Sequence, residues 1–149
     1  MSSTAAEGRA GVAERLGIQP GMVVWQYAVD DDIDPELIAQ VEDRCGSPVV
    51  EGDDPDLEDS GEVVDVVLIW YREDDGDLVD ALVDARPLLG DDGVIWLLTP
   101  KAGRPGHVEP ADILEAAPTA GLAQTSSVNV GPHWTAARLT APKGARGKR

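Results

Sequence analysis

Apolar positions in this chain come in blocks. The clearest are VVDVVLIW at residues 63–70 and VIWLLT at 94–99. Unbroken apolar runs of that length predict strands of a parallel sheet, because a strand covered on both faces has no solvent side for polar residues. MVVWQYAV at 22–29 reads the same way, and SPVVE supplies a short second strand. Between these blocks the period changes. Over 35–44 (PELIAQVEDR), Leu37, Ile38 and Val41 fall at helical spacing. Asp34 suits the cap, Pro35 the first helical position, and Gly46 the end. LVDALVDAR puts Leu78, Leu82 and Ala85 on one face, with Asp77 to cap it and Pro87 to stop it near Ala85 or Arg86. A short helix over GVAERLG closes at Gly17, and a further helix, ADILEAAPTAG, is opened by Pro110 and closed by Pro118 and Gly121.

Two last runs, 122–130 and 134–141, are separated by GPH and predict a hairpin. Strand and helix alternation followed by a hairpin predicts an α/β domain: a Rossmann-like three-layer sandwich, with a mainly parallel sheet and a C-terminal antiparallel hairpin at its edge. The expected layout is a flexible N-terminus at 1–10, one domain at 11–142, and a basic flexible tail at 143–149. The stretch GDDPDLEDSGE at 52–62 reads as an exposed connector.

Composition sharpens this picture. The chain has 149 residues and a formal charge of -16, from 28 acids against 12 bases. Residues 30–77 hold 19 acids and only two bases, Arg44 and Arg72, whereas the tail from Lys143 holds four bases and no acid. Such a domain cannot neutralise phosphates, so the folded part is not expected to bind nucleic acid or an anionic membrane. No basic segment followed by an apolar stretch begins the chain, and no apolar run is long enough to span a bilayer. Cys45 is the single cysteine. A cytoplasmic protein is expected.

Several phrases resemble class I methyltransferases: RLGIQPGMVV at the approach to the first strand, DVVLIW as a fourth strand, ARPLLGDDGVIWLLT as turn and fifth strand, and AAPTAGLAQTSSVNV as last helix and sixth strand. The resemblance implies a Rossmann-like fold and, with its Gly-rich turn, S-adenosylmethionine. That turn is missing. No glycine occurs from Val23 to Ala39, and Tyr27 and Val29 place bulk where the cofactor needs backbone clearance. The dozen-residue connector is also too short for the usual helix and strand, so the domain reads as trimmed by one unit. No cofactor is therefore expected. The longer phrases PGMVV with its Asp run, VVDVVLIWYREDDGDLVDALVDA and GVIWLLTPKAGRPGHVEPADILEAAPTAGLAQTSS are similar to a small actinobacterial family of uncharacterised proteins, which implies no catalytic residue.

Ligands of open α/β sheets sit beyond the strand carboxyl ends. The residues expected there are Tyr27, Asp30, Glu51, Tyr71, Arg72, Thr99 and Lys101. Lys101, Arg104 and His107 gather three potential cations ahead of the helix opened by Pro110, whose N-terminus favours anions. They either bind a small anionic ligand or pair with the chain's own acids at 52–62 or Asp30–Asp32, the second being the simpler expectation. DDDIDPE lacks calcium-loop spacing, and His107 and His133 have no cysteine beside them, so no metal site is expected. No G-x-S-x-G, P-loop or H-E-x-x-H motif occurs. Trp25, Trp70, Trp96 and Trp134 each fall in a predicted strand and, without any Phe, are expected to supply core volume. The resulting expectation is a non-catalytic methyltransferase-like domain that meets a basic protein partner through its acidic face. The alternative is an enzyme or binding protein for a small anionic metabolite or nucleotide.

Overall fold

The computed structural model describes residues 14–28, 31–51, 64–86, 89–130 and 133–141. Both expected flexible ends, the connector at 52–62 and Asp30 lie outside the described residues. The elements run β1 (Val24–Tyr27), α1 (Pro35–Cys45), β2 (Val50–Glu51), β3 (Val64–Trp70), α2 (Leu78–Ala85), β4 (Leu89–Pro100), α3 (Pro110–Thr119), β5 (Ala123–Val130) and β6 (Trp134–Thr140). Of the helix predicted over GVAERLG, the described part is its end, where the Gly17 N–H bonds to the Glu14 carbonyl at 2.9 Å.

The strands form one sheet in the order β2-β1-β3-β4-β6-β5. β2, β1, β3 and β4 are parallel, and β6 is antiparallel to both β4 and β5. This is the Rossmann-like, mostly parallel architecture with a C-terminal antiparallel hairpin. The hairpin lies at the edge of the sheet as expected; within it, β6 pairs with β4 and β5 is the outermost strand. Burial explains the order: β6 contributes Trp134, Ala136, Ala137 and Leu139 to the core, whereas β5 exposes Thr125, Ser126 and Ser127 and can tolerate the edge.

Alternation along the central strands sends side chains to two cores. Val67, Ile69, Ile95 and Leu97 face α2 and α3, while Val66, Leu68, Trp70, Trp96 and Leu98 face α1 and the segment around Leu16 and Ile18. That is why β3 and β4 read as continuous apolar runs. The one polar residue in the first run, Asp65, sits beside a register irregularity and accepts the Val23 N–H at 2.8 Å. β4 also begins earlier than predicted, at Leu89, because Leu89 pairs with Val64 before the register shifts.

Local signals act as their chemistry requires. Asp34 accepts the N–H groups of Glu36 and Leu37 at 3.1 and 3.4 Å, and Gly46 closes α1 in the left-handed conformation at φ 85°. Asp77 accepts Val79 N–H at 2.9 Å and starts α2. Helix α3 runs through Pro118 to Thr119 and stops ahead of Gly121, which is left-handed at φ 82°. All four tryptophans are buried. Three find acceptors for their N–H groups: Gln26 for Trp70 at 3.0 Å, the Leu16 carbonyl for Trp96 at 2.9 Å and the Asp32 carbonyl for Trp134 at 3.3 Å. Among the described residues the N–H of Trp25 meets none. Cys45 is buried with its thiol 3.2 Å from the Ser47 carbonyl, a packing role.

The two-faced packing predicts a sharp contrast along α2. Leu82 is 0% exposed and Val83 is 46% exposed. Leu82→Ala should cost about 3 kcal/mol, from lost transfer energy and a residual cavity, and Val83→Ala less than about 0.5 kcal/mol. Urea unfolding of the two variants measures both.

Candidate functional site

In this sheet the chain crosses to one side after β1 and to the other after β3, so the switch point lies between those two neighbouring strands, where open α/β sheets take ligands. Arg72, two residues beyond β3, occupies it. Its Nη1 donates to the Ala28 carbonyl at 3.0 Å, the Trp70 carbonyl at 2.7 Å and Asp75 at 3.0 Å. Its Nε donates to Asp32 at 2.9 Å, and Nη2 makes a second bond to the same carboxylate. The side chain is only 13% exposed and lies over the Trp134 ring at 5.5 Å. Trp134 in turn meets Trp70 edge-on at 4.9 Å. Charge-assisted bonds of this kind, with a forked guanidinium on a carboxylate, are the strong class of hydrogen bond. They span the crevice and tie the loop after β1 to the loop after β3.

Two backbone features depend on this arrangement. Ala28 adopts φ 61°, a left-handed conformation that costs a residue with a Cβ about 1–2 kcal/mol, and its carbonyl is the one Arg72 holds. Gly106, at φ +85°, lies against the Arg72 stem: a Cβ there would be 3.1 Å from the Arg72 Cβ. Its carbonyl also accepts the Glu73 N–H at 2.9 Å. The β4–α3 loop therefore leans on Arg72 too.

The other candidates separate into two further places. Tyr71 is buried, and its hydroxyl donates to the Gly76 carbonyl. With Glu73, Asp77, Asp112 and Glu115 it borders a groove of about 420 Å³ between α2 and α3 that no basic side chain lines. Tyr27 and Tyr71 share an adjacent hollow of about 390 Å³, with Asp75 and Asp84 at its rim. Burial, followed by the charges of Asp75, Asp77, Asp112 and Glu73, pushes the Tyr71 phenol above its ordinary 10.0. Thr99, Lys101 and His107 line a smaller pocket of about 120 Å³ beside β5, β6 and the start of α3. Arg104 stands apart from that pocket; its charge reaches Asp32. The three cations of the β4–α3 loop thus do not converge. Nor do Tyr71, Lys101 and Arg104 line one cleft.

Sequence reasoning met Asp32 only as part of an Asp run and did not single out Gln26. The signal for Asp32 was indirect: Arg72 is one of two bases among 19 acids over residues 30–77, so a carboxylate partner nearby was certain in kind but not in number. Which acid reaches it is decided by the turn at Ala28.

Comparison with known proteins agrees with this architecture. Residues 13–143 match a family model described as a protein of unknown function, DUF3052. The chain belongs to the DUF3052 family. It is 50% identical over 145 residues to the uncharacterised protein Rv2239c of Mycobacterium tuberculosis, covering 97% of this chain and 87% of that one. The mycobacterial origin of this relative fits the actinobacterial resemblance. Among solved structures, the DUF3052 chain superposes on the pyocyanin biosynthetic protein PhzM with a TM-score of 0.65 at 12% identity, covering 95% of this chain and 56% of PhzM. It superposes on a SAM-dependent methyltransferase from Thiobacillus denitrificans, solved with S-adenosyl-L-homocysteine, with a TM-score of 0.57 at 12% identity and 91% coverage of both chains. At that identity the likeness establishes the fold. Among the described residues of the DUF3052 chain, no helix is long and apolar enough to cross a membrane.

Two titrations probe the site. Hydrogen bonds from Arg72 hold the Asp32 carboxyl below its ordinary 3.8; partial burial opposes them, and the charges of Arg72 and Arg104 assist. A carboxyl lowered by folding contributes fully at neutral pH, and the contribution is lost as pH falls below 3.8 through the folded value. Asp32→Asn should therefore lose about 1 kcal/mol at neutral pH, a modest figure because Asp32 is partly solvated, and converge with the parent in acid. Chemical denaturation across the pH range checks this. The chain has two tyrosines, so in a Tyr27→Phe background the phenolate absorbance reports Tyr71 alone. Its midpoint should lie above 10.0 and move down when Asp77→Asn and Asp112→Asn are combined.

Proposed function

We propose that this chain is a non-catalytic methyltransferase-like domain, a regulatory or assembly module that binds a basic protein segment along its acidic α2–α3 face. The observation that carries the proposal is the occupation of the switch-point crevice. Where a cofactor would need a glycine turn and free space, Arg72 bridges Ala28, Trp70, Asp32 and Asp75. Opening the crevice would break a set of charge-assisted bonds and strand a guanidinium that is mostly buried.

The interaction half of the proposal draws on the groove between α2 and α3. Glu73, Asp77, Asp112 and Glu115 stand along it without a lining cation, and Leu78, Val79 and Val108 line it with them. Carboxylates beside apolar side chains suit a segment that alternates Lys or Arg with apolar residues. Complementary charge of this kind speeds and orients association and weakens with salt.

Calorimetry with S-adenosylmethionine should give no heat for the full chain; binding in the micromolar range would overturn the non-catalytic reading. For the partner, immobilised full chain should retain basic proteins from a mycobacterial lysate at low salt and release them as salt rises. A variant carrying Glu73→Gln, Asp77→Asn, Asp112→Asn and Glu115→Gln should lose them, and the asparagine side chain it places at the α2 cap still accepts the first-turn N–H. Equal retention by parent and variant would remove the groove from the proposal.

A further inference from the structure

We infer that the 120 Å³ pocket between β4, β5, β6 and the start of α3 is a binding site for a short-chain carboxylate, separate from the acidic groove and from the Arg72 crevice. The first observation is its charge. In a chain with 28 acids and 12 bases, this pocket is lined by Lys101 and His107 and by no carboxylate. Lys101 makes no ion pair among the described residues; its backbone N–H is held by the His133 carbonyl at 2.9 Å, which fixes the root of the side chain.

The second observation is independent of charge. Thr99 is 5% exposed and lines the pocket, yet its hydroxyl makes no hydrogen bond among the described residues. A hydroxyl on the wall of a hollow without a protein partner is free to donate to a ligand there. Gln124 and Ser127 of β5 add an amide and a further hydroxyl from the opposite wall.

At the rim, Glu109 stands at the cap of α3 without a side-chain bond to the first turn and places its Oε2 3.8 Å from His107 Nε2, so a bound anion is held by Lys101 and Thr99 rather than by the helix end. His107 is oriented by its Nδ1, 2.8 Å from the Pro100 carbonyl. A carbonyl only accepts, so Nδ1 carries the hydrogen.

Size and lining decide between anions. At about 30 Å³ for a water-sized group, the pocket holds about four such groups. Val108, Ile113 and Ala137, with Pro100 and Ala102, supply its apolar wall, and Thr135 adds a hydroxyl. A phosphate, polar on every side, would press its oxygens against these apolar groups, whereas a carboxylate with a short aliphatic tail places one end on Lys101 and Thr99 and the other on Ile113.

Backbone amide NMR of the full chain, titrated with propionate and butyrate and in parallel with inorganic phosphate at matched ionic strength, tests this. The carboxylates should shift the amides of Thr99, His107 and Gln124. Thr99→Val and Lys101→Met should each weaken binding by about tenfold or more, and Lys101→Arg should restore most of it. Arg104→Ala, outside the pocket, should leave the affinity unchanged. Absence of shifts with either carboxylate overturns the site, and so does an Arg104→Ala loss equal to that of Lys101→Met. Shifts by phosphate with the carboxylates silent overturn the carboxylate assignment. Should Thr99→Val fail to fold, the half-exposed Lys101→Met carries the test.

Discussion

The guanidinium of Arg72 is placed where two halves of the sheet diverge, and its five donor contacts reach groups that sequence keeps far apart: Ala28 and Asp32 after β1, and Trp70 and Asp75 around β3. A mostly buried cation needs its donors satisfied, because an unmatched charge away from water costs several kcal/mol. That requirement dictates the local backbone. Ala28 turns left-handed to offer its carbonyl, Gly106 gives up a side chain so that the β4–α3 loop can pack on the Arg72 stem, and Trp134 of β6 covers the guanidinium from above. The carboxyl end of the sheet is organised around this group much as a ligand would organise it.

One consequence is a division of the strand ends by charge. Glu73, Asp77, Asp112 and Glu115 gather along the groove between α2 and α3, and their mutual repulsion is tolerated because the groove is open to water and salt. Lys101 and His107 instead turn toward β5 and β6, where the lining contains no carboxylate. Two surfaces of opposite preference thus sit on either side of α3, whose first turn faces one and whose Asp112 and Glu115 face the other.

The fold was largely legible because it rests on local rules. Asp34 with Pro35, and Asp77, announce helix starts through chemistry that acts within three or four residues. VVDVVLIW announces a doubly covered strand by having no solvent face. The insertion of β6 between β4 and β5 was not legible, since both strands of a hairpin carry the same local signal and only their relative burial in the assembled sheet chooses the inner one. Tryptophan burial was readable in part. Trp134 follows a turn, and its place in the core depends on Trp70 and Arg72 being there to meet it.

The site was less legible than the fold, for a physical reason. Sequence by itself determined which residues emerge beyond the strands, the excess of acid between residues 30 and 77, and the lack of glycine in the turn after β1. Those are properties of composition and of spacing along the chain. Tertiary structure alone decided that Arg72 takes Asp32 and bridges the loops after β1 and β3, that Tyr71 joins the acidic groove, and that Thr99, Lys101 and His107 share a pocket from which Arg104 is absent. Side-chain partnership depends on direction and distance across 40 or more residues of intervening chain, as between Asp32 and Arg72, and no local pattern encodes either.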